Sequence, residues 1–297
     1  MGLNVKNSNK KRAFTIIELL TVLSIIVILI GLLVPALNKV KRYANLVKQK
    51  AQLHSISVAM DLFEAVIGEY PPSEAKDADD KSYCGAMKLC EAMMGQDLLG
   101  FHPDSLFTVD GLDGLGTDLY PTDDGTPAYT ENLKSRKGPY LQLDNANAYP
   151  IGHLYENYGA FDTNSIVLCD VYSRVKDRYT GKKVGMPILY YKADTSNNKH
   201  SLADFANSIY NVYDNDELVH LGMPWYPAGS SPEHPIDTAG GTTSSGGASD
   251  GQLFYNKTWN KDITTTVRPY NSDSYILFSA GFDGEYGTTD DVFNFED

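Results

Sequence analysis

The sequence predicts an α+β fold: one long N-terminal helix, its second half packed on a small antiparallel sheet, with large loop insertions around that sheet. Three observations predict it. Residues 19–38 contain no charged side chain. Beyond Asn38, the residues Val40, Val47, Ala51, Ile56, Met60, Phe63, Val66 and Ile67 recur near helical spacing, until Gly68 and the Pro71-Pro72 pair end the pattern. Short β-rich segments at residues 165–171, 186–192 and 274–280 are bounded by turn residues. A helix from Phe14 to Gly68 is roughly 80 Å long at 1.5 Å per residue.

The first half of that helix suits a bilayer, because about 20 apolar residues span the hydrocarbon core. Lys10, Lys11 and Arg12 precede it, then the small residue Ala13. A secretory signal has a shorter apolar region, with its small-residue cleavage site after that region; here the small residue comes before it. Glu18 lies near the start of the apolar run, where a carboxylate is costly unless it finds a partner.

The pattern Ala13-Phe14-Thr15-Ile16-Ile17-Glu18 resembles a type IV prepilin leader. The resemblance implies that a dedicated prepilin peptidase cuts before Phe14, which becomes the methylated N-terminus. Glu18 is then the fifth mature residue. By the same resemblance it faces the Phe14 amine of a neighbouring subunit in a filament, offsetting part of the desolvation of a buried carboxylate. The family's usual residue before the cut is Gly, from which Ala13 departs. Pro35 matches the family's proline late in the apolar run. Both flanks of the run are basic, so charge alone does not set orientation. The resemblance implies a cytoplasmic N-terminus and an inner-membrane anchor, then a periplasmic or extracellular filament.

Phe63, Gly68, Tyr70 and Pro71 also resemble the end of the long helix in major pseudopilins of type II secretion systems, and Gly138-Pro139-Tyr140-Leu141 resembles the segment leading into their sheet. This chain is longer than those proteins, so it carries insertions. The expected divisions are 1–13 as leader, 14–37 as membrane and assembly helix, 38–70 as the amphipathic second half, and 71–297 as the head.

The remaining composition fits a head outside the cytoplasm. The chain has 297 residues, 42% of them hydrophobic, and a net charge of −13, which argues against nucleic-acid binding. Cys84, Cys90 and Cys169 allow one internal disulfide at most; the Cys84/Cys90 spacing is the candidate, with free thiols as the alternative. Residues 85–94 and 201–209 read as short helices. Gly181-Lys182-Lys183 reads as part of a hairpin connection. Residues 228–251, rich in Gly, Ser, Thr and Pro, read as an exposed flexible loop.

After the last predicted strand comes an acidic loop, residues 279–292. Its glycines let carbonyls and carboxylates converge, and hard oxygen ligands in such a loop suit Ca²⁺. The segment resembles the S-x-G-x-D-G calcium loop of major pseudopilins. That resemblance implies a structural calcium held by Asp283 and Asp291, with Asp290 as the alternative to Asp291 because the doubled acid leaves the register open. Carbonyls near Ser279 and Ala280 would complete the site, and Glu285 lies close by. A second Asp/Gly stretch, residues 110–118, reads as a turn loop, with another cation as the alternative.

No catalytic constellation emerges. There is no P-loop, no GxSxG elbow and no HExxH helix, and the six histidines show no ligand spacing. The expected role is structural, not enzymatic. The chain is expected to polymerise with copies of itself, with a prepilin peptidase and an inner-membrane assembly platform as partners. A type IV pilus subunit, a minor tip subunit and a pilin-anchored binding or hydrolytic module are the alternatives.

Overall fold

Thr15 and Glu18 start the predicted long helix with a reciprocal cap. The Thr15 amide and hydroxyl donate to the Glu18 carboxylate at 2.9 and 2.7 Å, and the Glu18 amide donates back to the Thr15 hydroxyl at 3.3 Å. The helix, α1, runs Ile16–Ile67 as one assigned element with Pro35 inside it. The computed structural model describes residues 15–227, 229–237 and 250–296. The chain divides after Ala44 into two compact units.

The first unit is the early part of α1. Every described side chain up to Ala44 is exposed, including Ile16 at 80% and Leu32 at 71%. Among the described residues α1 is the one helix long and apolar enough to cross a membrane. So continuous an apolar surface is unfavourable in water and needs lipid or another protein over it.

The second unit is the head. It contains the rest of α1, then α2 (Gly85–Met94), α3 (Pro127–Ser135), α4 (Leu143–Ala146), β1 (Ala148–Pro150), α5 (Ile151–Leu154), β2 (Ile166–Leu168), β3 (Val175–Lys176), β4 (Lys183–Val184) and β5 (Leu189–Lys192). After two 3₁₀ segments, Leu202–Asn207 and Val212–Asn215, come α6 (Asp216–His220), α7 (Asp250–Thr258), β6 (Tyr275–Ser279) and β7 (Val292–Phe293). Among the described residues the sheets are all antiparallel: β1-β2, β3-β4 and β5-β6-β7. β6 is central, with Tyr190 opposite Leu277 and Leu189 opposite Phe278.

Side chains alternate across that sheet, so β5 and β6 feed two cores. On one face Tyr190 and Leu277 join Leu53, Ile56, Met60 and Phe63 of α1 and Leu89 and Met93 of α2. Phe63 lies edge-on to Phe101 at 4.9 Å and Tyr140 at 5.8 Å between ring centroids. On the other face Leu189, Tyr191, Ile276 and Phe278 pack with Ile236, Phe254, Tyr255 and Tyr286. Helix α1 therefore covers one side and the inserted segments cover the other. A sheet buried on both sides explains why SYILFSA is almost wholly apolar. Two glutamines on the buried face of α1 tie it to the segment after β2: Gln52 Nε2 donates to the Cys169 carbonyl at 2.9 Å, and Gln49 Oε1 accepts from the Val171 amide at 3.0 Å.

Three local expectations change. The segment expected to be a helix at residues 201–209 is a 3₁₀ turn, Leu202–Asn207, kinked at Asp204. The run at 228–251 is not uniformly an exposed loop: residues 228 and 238–249 lie outside the described residues, but His234, Ile236 and Asp237 are buried and α7 begins at Asp250. All three cysteines are buried and free, so the Cys84/Cys90 bridge is not formed.

Candidate functional site

The two stretches that carry the sequence argument lie in different units. At the N-terminus, Ala13 and Phe14 lie outside the described residues. Glu18 is described. Its carboxylate is exposed and holds the cap of its own helix through Thr15, so the structure supplies a local structural use for it.

The C-terminal loop is positioned by the sheet. β6 ends at Ser279, β7 begins at Val292, and residues 280–291 make the connection. Ser279 Oγ donates to the buried Asp170 at 3.0 Å, which fixes the start of the turn. Gly281 has φ +68°, and a side chain there would run into the Asp290 carbonyl, so only glycine fits. Ala280 is fully buried at this corner.

The turn brings Asp283 and Asp290 together. The Asp283 amide donates to Asp290 Oδ2 at 3.0 Å, and the Thr288 hydroxyl donates to Asp290 Oδ1 at 2.6 Å. Burial, with the Asp290 carboxylate beside it, pushes the Asp283 carboxyl up to about 6. Burial acts on Asp290 too, but hydrogen bonds from Thr288 and Asp283 outweigh it and hold Asp290 below the usual range. One of two adjacent acids thus rises as the other falls, the behaviour of neighbouring carboxyls that resist ionising together.

Asp291 points elsewhere. Its side chain is 2% exposed and pairs with Lys257 Nζ of α7 at 2.9 Å. The Gly287 amide donates to it at 3.1 Å, and the Lys257 ammonium also donates to the Thr288 carbonyl. Burial still pushes the Asp291 carboxyl up to about 8 against the pull of Lys257. Sequence reasoning missed Lys257, for it lies just beyond a run with loop composition and reaches Asp291 only through the fold. It also missed Arg174, which donates to the Asp283 carbonyl at 3.1 Å and lies over the Trp225 ring at 4.9 Å.

Among the described residues no group of three or more His, Cys, Asp and Glu side chains is placed to hold a metal ion. What the loop offers is an oxygen pair, Asp283 and Asp290, with backbone carbonyls around a glycine-bent turn. In the second Asp/Gly stretch Asp113 accepts from the Leu115 and Thr117 amides and Asp110 pairs with Lys81, so these acids support turns. The histidines are dispersed: His153 meets Asp177, His220 meets Asp237, and His200 meets Thr258.

No curated protein and no solved structure matches the chain. Residues 8–34 match the family model described as the prokaryotic N-terminal methylation motif, and this match, followed by the exposed apolar helix, supports a type IV pilin-like chain.

Proposed function

We propose that the chain is a structural subunit of a type II secretion-like pseudopilus. A prepilin peptidase removes residues 1–13 and methylates Phe14. Residues 14–37 then serve as the membrane and assembly helix, residues 38–70 seat the head, and the head from residue 71 carries the exposed surface. The subunit waits in the inner membrane, engages an assembly platform there, and polymerises with its own copies through the apolar helix. The observation that carries this reading is the methylation motif on a helix whose first half has nothing of its own fold covering it.

Within this reading the C-terminal loop holds a structural calcium. Asp283 is one side-chain ligand, Asp291 or Asp290 the second, and carbonyls near Ala280 contribute; the pairing of Asp291 with Lys257 and the closeness of Asp290 to Asp283 favour Asp290. The ion would supply positive charge between two acids that otherwise repel. The S-x-G-x-D-G pattern favours the secretion pseudopilus over a type IV pilus, and Glu18 favours a position in the filament body over the tip. The enlarged head is what an adhesive pilus subunit would also show.

Three measurements test the proposal. Mass spectrometry of the chain from its membranes should find methylated Phe14 as the first residue, and electron microscopy should find filaments. Glu18→Ala should leave the chain in the membrane and abolish filaments. An unprocessed N-terminus on all the working protein, or normal filaments from Glu18→Ala, would overturn it. Chelation should lower the melting temperature of the chain, and an unchanged melt would remove the calcium.

A further inference from the structure

We propose that the cleft between α1 and the β3–β4 hairpin is a binding site for a phosphate group. The cleft has a volume of about 350 Å³ and is lined by Lys48, Gln52 and Ser55 of α1, by Asn147, and by Lys182 and Lys183 of the hairpin, among others. Among the described residues no Asp or Glu lines it. In a chain of net charge −13, with 38 acids against 25 bases, a cleft with three lysines and no carboxylate among its described lining residues is a marked separation of charge.

The hairpin concentrates that charge. Lys176 stands directly opposite Lys183 across the strand pair, and like charges so placed destabilise a hairpin. The acid between these bases, Asp177, is 2% exposed and accepts from the Tyr179 and Thr180 amides at 2.8 and 2.9 Å; its charge favours the Lys182 ammonium from beneath the hairpin but contributes no carboxylate to the cleft lining. Among the described residues Lys48, Lys176, Lys182 and Lys183 form no ion pair. Lys182 lies 5.7 Å from the Tyr149 ring centroid, which steers its ammonium without neutralising it. An anion in the cleft would accept from Lys48, Lys182 and Lys183 and relieve the Lys176–Lys183 repulsion.

A phosphate group fits this chemistry better than a carboxylate. It offers three or four strong acceptor oxygens to ammonium groups arriving from different elements, and lysine binds it as a point charge. The cavity has room for the alcohol of a phosphate ester besides the phosphate. Two sources share that chemistry: the headgroup of an anionic phospholipid and a free phosphate ester. The site stands on the head alone and does not depend on the filament reading.

The test uses the full chain in a neutral detergent. Isothermal titration calorimetry is run at fixed ionic strength with inorganic phosphate, with dihexanoyl phosphatidylglycerol, and with dihexanoyl phosphatidylcholine as reference. Saturable binding of phosphatidylglycerol, at least tenfold tighter than that of phosphatidylcholine and of inorganic phosphate, assigns the site to a lipid headgroup. Inorganic phosphate that binds as tightly as phosphatidylglycerol assigns it to a soluble ester. In either case the double variant K182Q/K183Q should weaken binding at least tenfold, and Ser55→Glu, which places a carboxylate in the cleft from α1, should do the same. The pair K39Q/K41Q, outside the cleft, should leave binding unchanged. No saturable binding of any probe, or K182Q/K183Q and Ser55→Glu both binding like the parent, overturns the proposal.

Discussion

Lys257 reaches across 34 residues of chain to neutralise Asp291, and no local pattern around either residue announces the pair. With Lys257→Gln, a nearly buried carboxylate loses its cation. The expected cost is up to about 3 kcal/mol, below the full value for a buried pair because Lys257 is partly exposed. At pH 6 the cost should shrink, since Asp291 can take up a proton there, and Asp291→Asn added to Lys257→Gln should recover most of it. Denaturant melts at pH 6 and pH 8 measure both. Asp170 gives a second case. Its Oδ1 accepts from the Tyr172 and Met186 amides at 3.1 and 3.2 Å, and its Oδ2 accepts from Ser279. Asparagine can keep both amide bonds on its oxygen and donate to the Ser279 hydroxyl. Asp170→Asn should therefore cost less than about 1 kcal/mol, whereas Asp170→Ala orphans three buried donors and should cost about 2–4 kcal/mol. Equal melting temperatures for the two variants would contradict this.

At the scale of elements, what was legible followed from strong periodicity. The helix expected from Phe14 to Gly68 is Ile16–Ile67, residues 85–94 form α2, and β2, β5 and β6 lie within the three β-rich segments. What was not legible depended on distant partners. β1, residues Ala148–Pro150, is three residues long and exists because β2 pairs with it. α7 has a glycine near its start and follows a low-complexity run, yet Phe254 and Tyr255 bury against the far face of the main sheet. Of the candidate site, the glycine turn and the closeness of its acids could be read locally. Which acid faces which could not, because that depends on where α7 delivers its lysine. The two halves of α1 should respond differently to mutation. Phe63→Ala removes a fully buried ring between Phe101 and Tyr140 and should destabilise the head by about 3–5 kcal/mol. Val27→Ala, on the exposed half, should leave the head's denaturant midpoint unchanged. Equal effects of the two would show that α1 is not divided in this way.

For the whole molecule, buried acids set the pH response. Burial raises Asp170 to about 7, Asp214 and Asp291 to about 8, and Asp283 to about 6. In the unfolded chain such carboxyls titrate near 3.9, so the folded state binds protons that the unfolded state does not across the interval between. Stability from these groups is gained as pH falls through the folded values and lost as pH rises through them. His200 and His234 oppose this below about 6.5, because burial lowers both to about 4. The chain should therefore melt at a higher temperature at pH 6.5 than at pH 8.5, and equal or reversed temperatures would contradict the assignment. The cysteines bear on the whole molecule in another way. Cys84, Cys90 and Cys169 are each no more than 1% exposed, and burial pushes the Cys84 thiol up to about 12. Folding of the head consumes no oxidant, so it can proceed equally on either side of a redox boundary. Sealed in this way, the three sulfurs also form a clock: an alkylating reagent can mark them only when the head opens, and the rate of marking counts those openings.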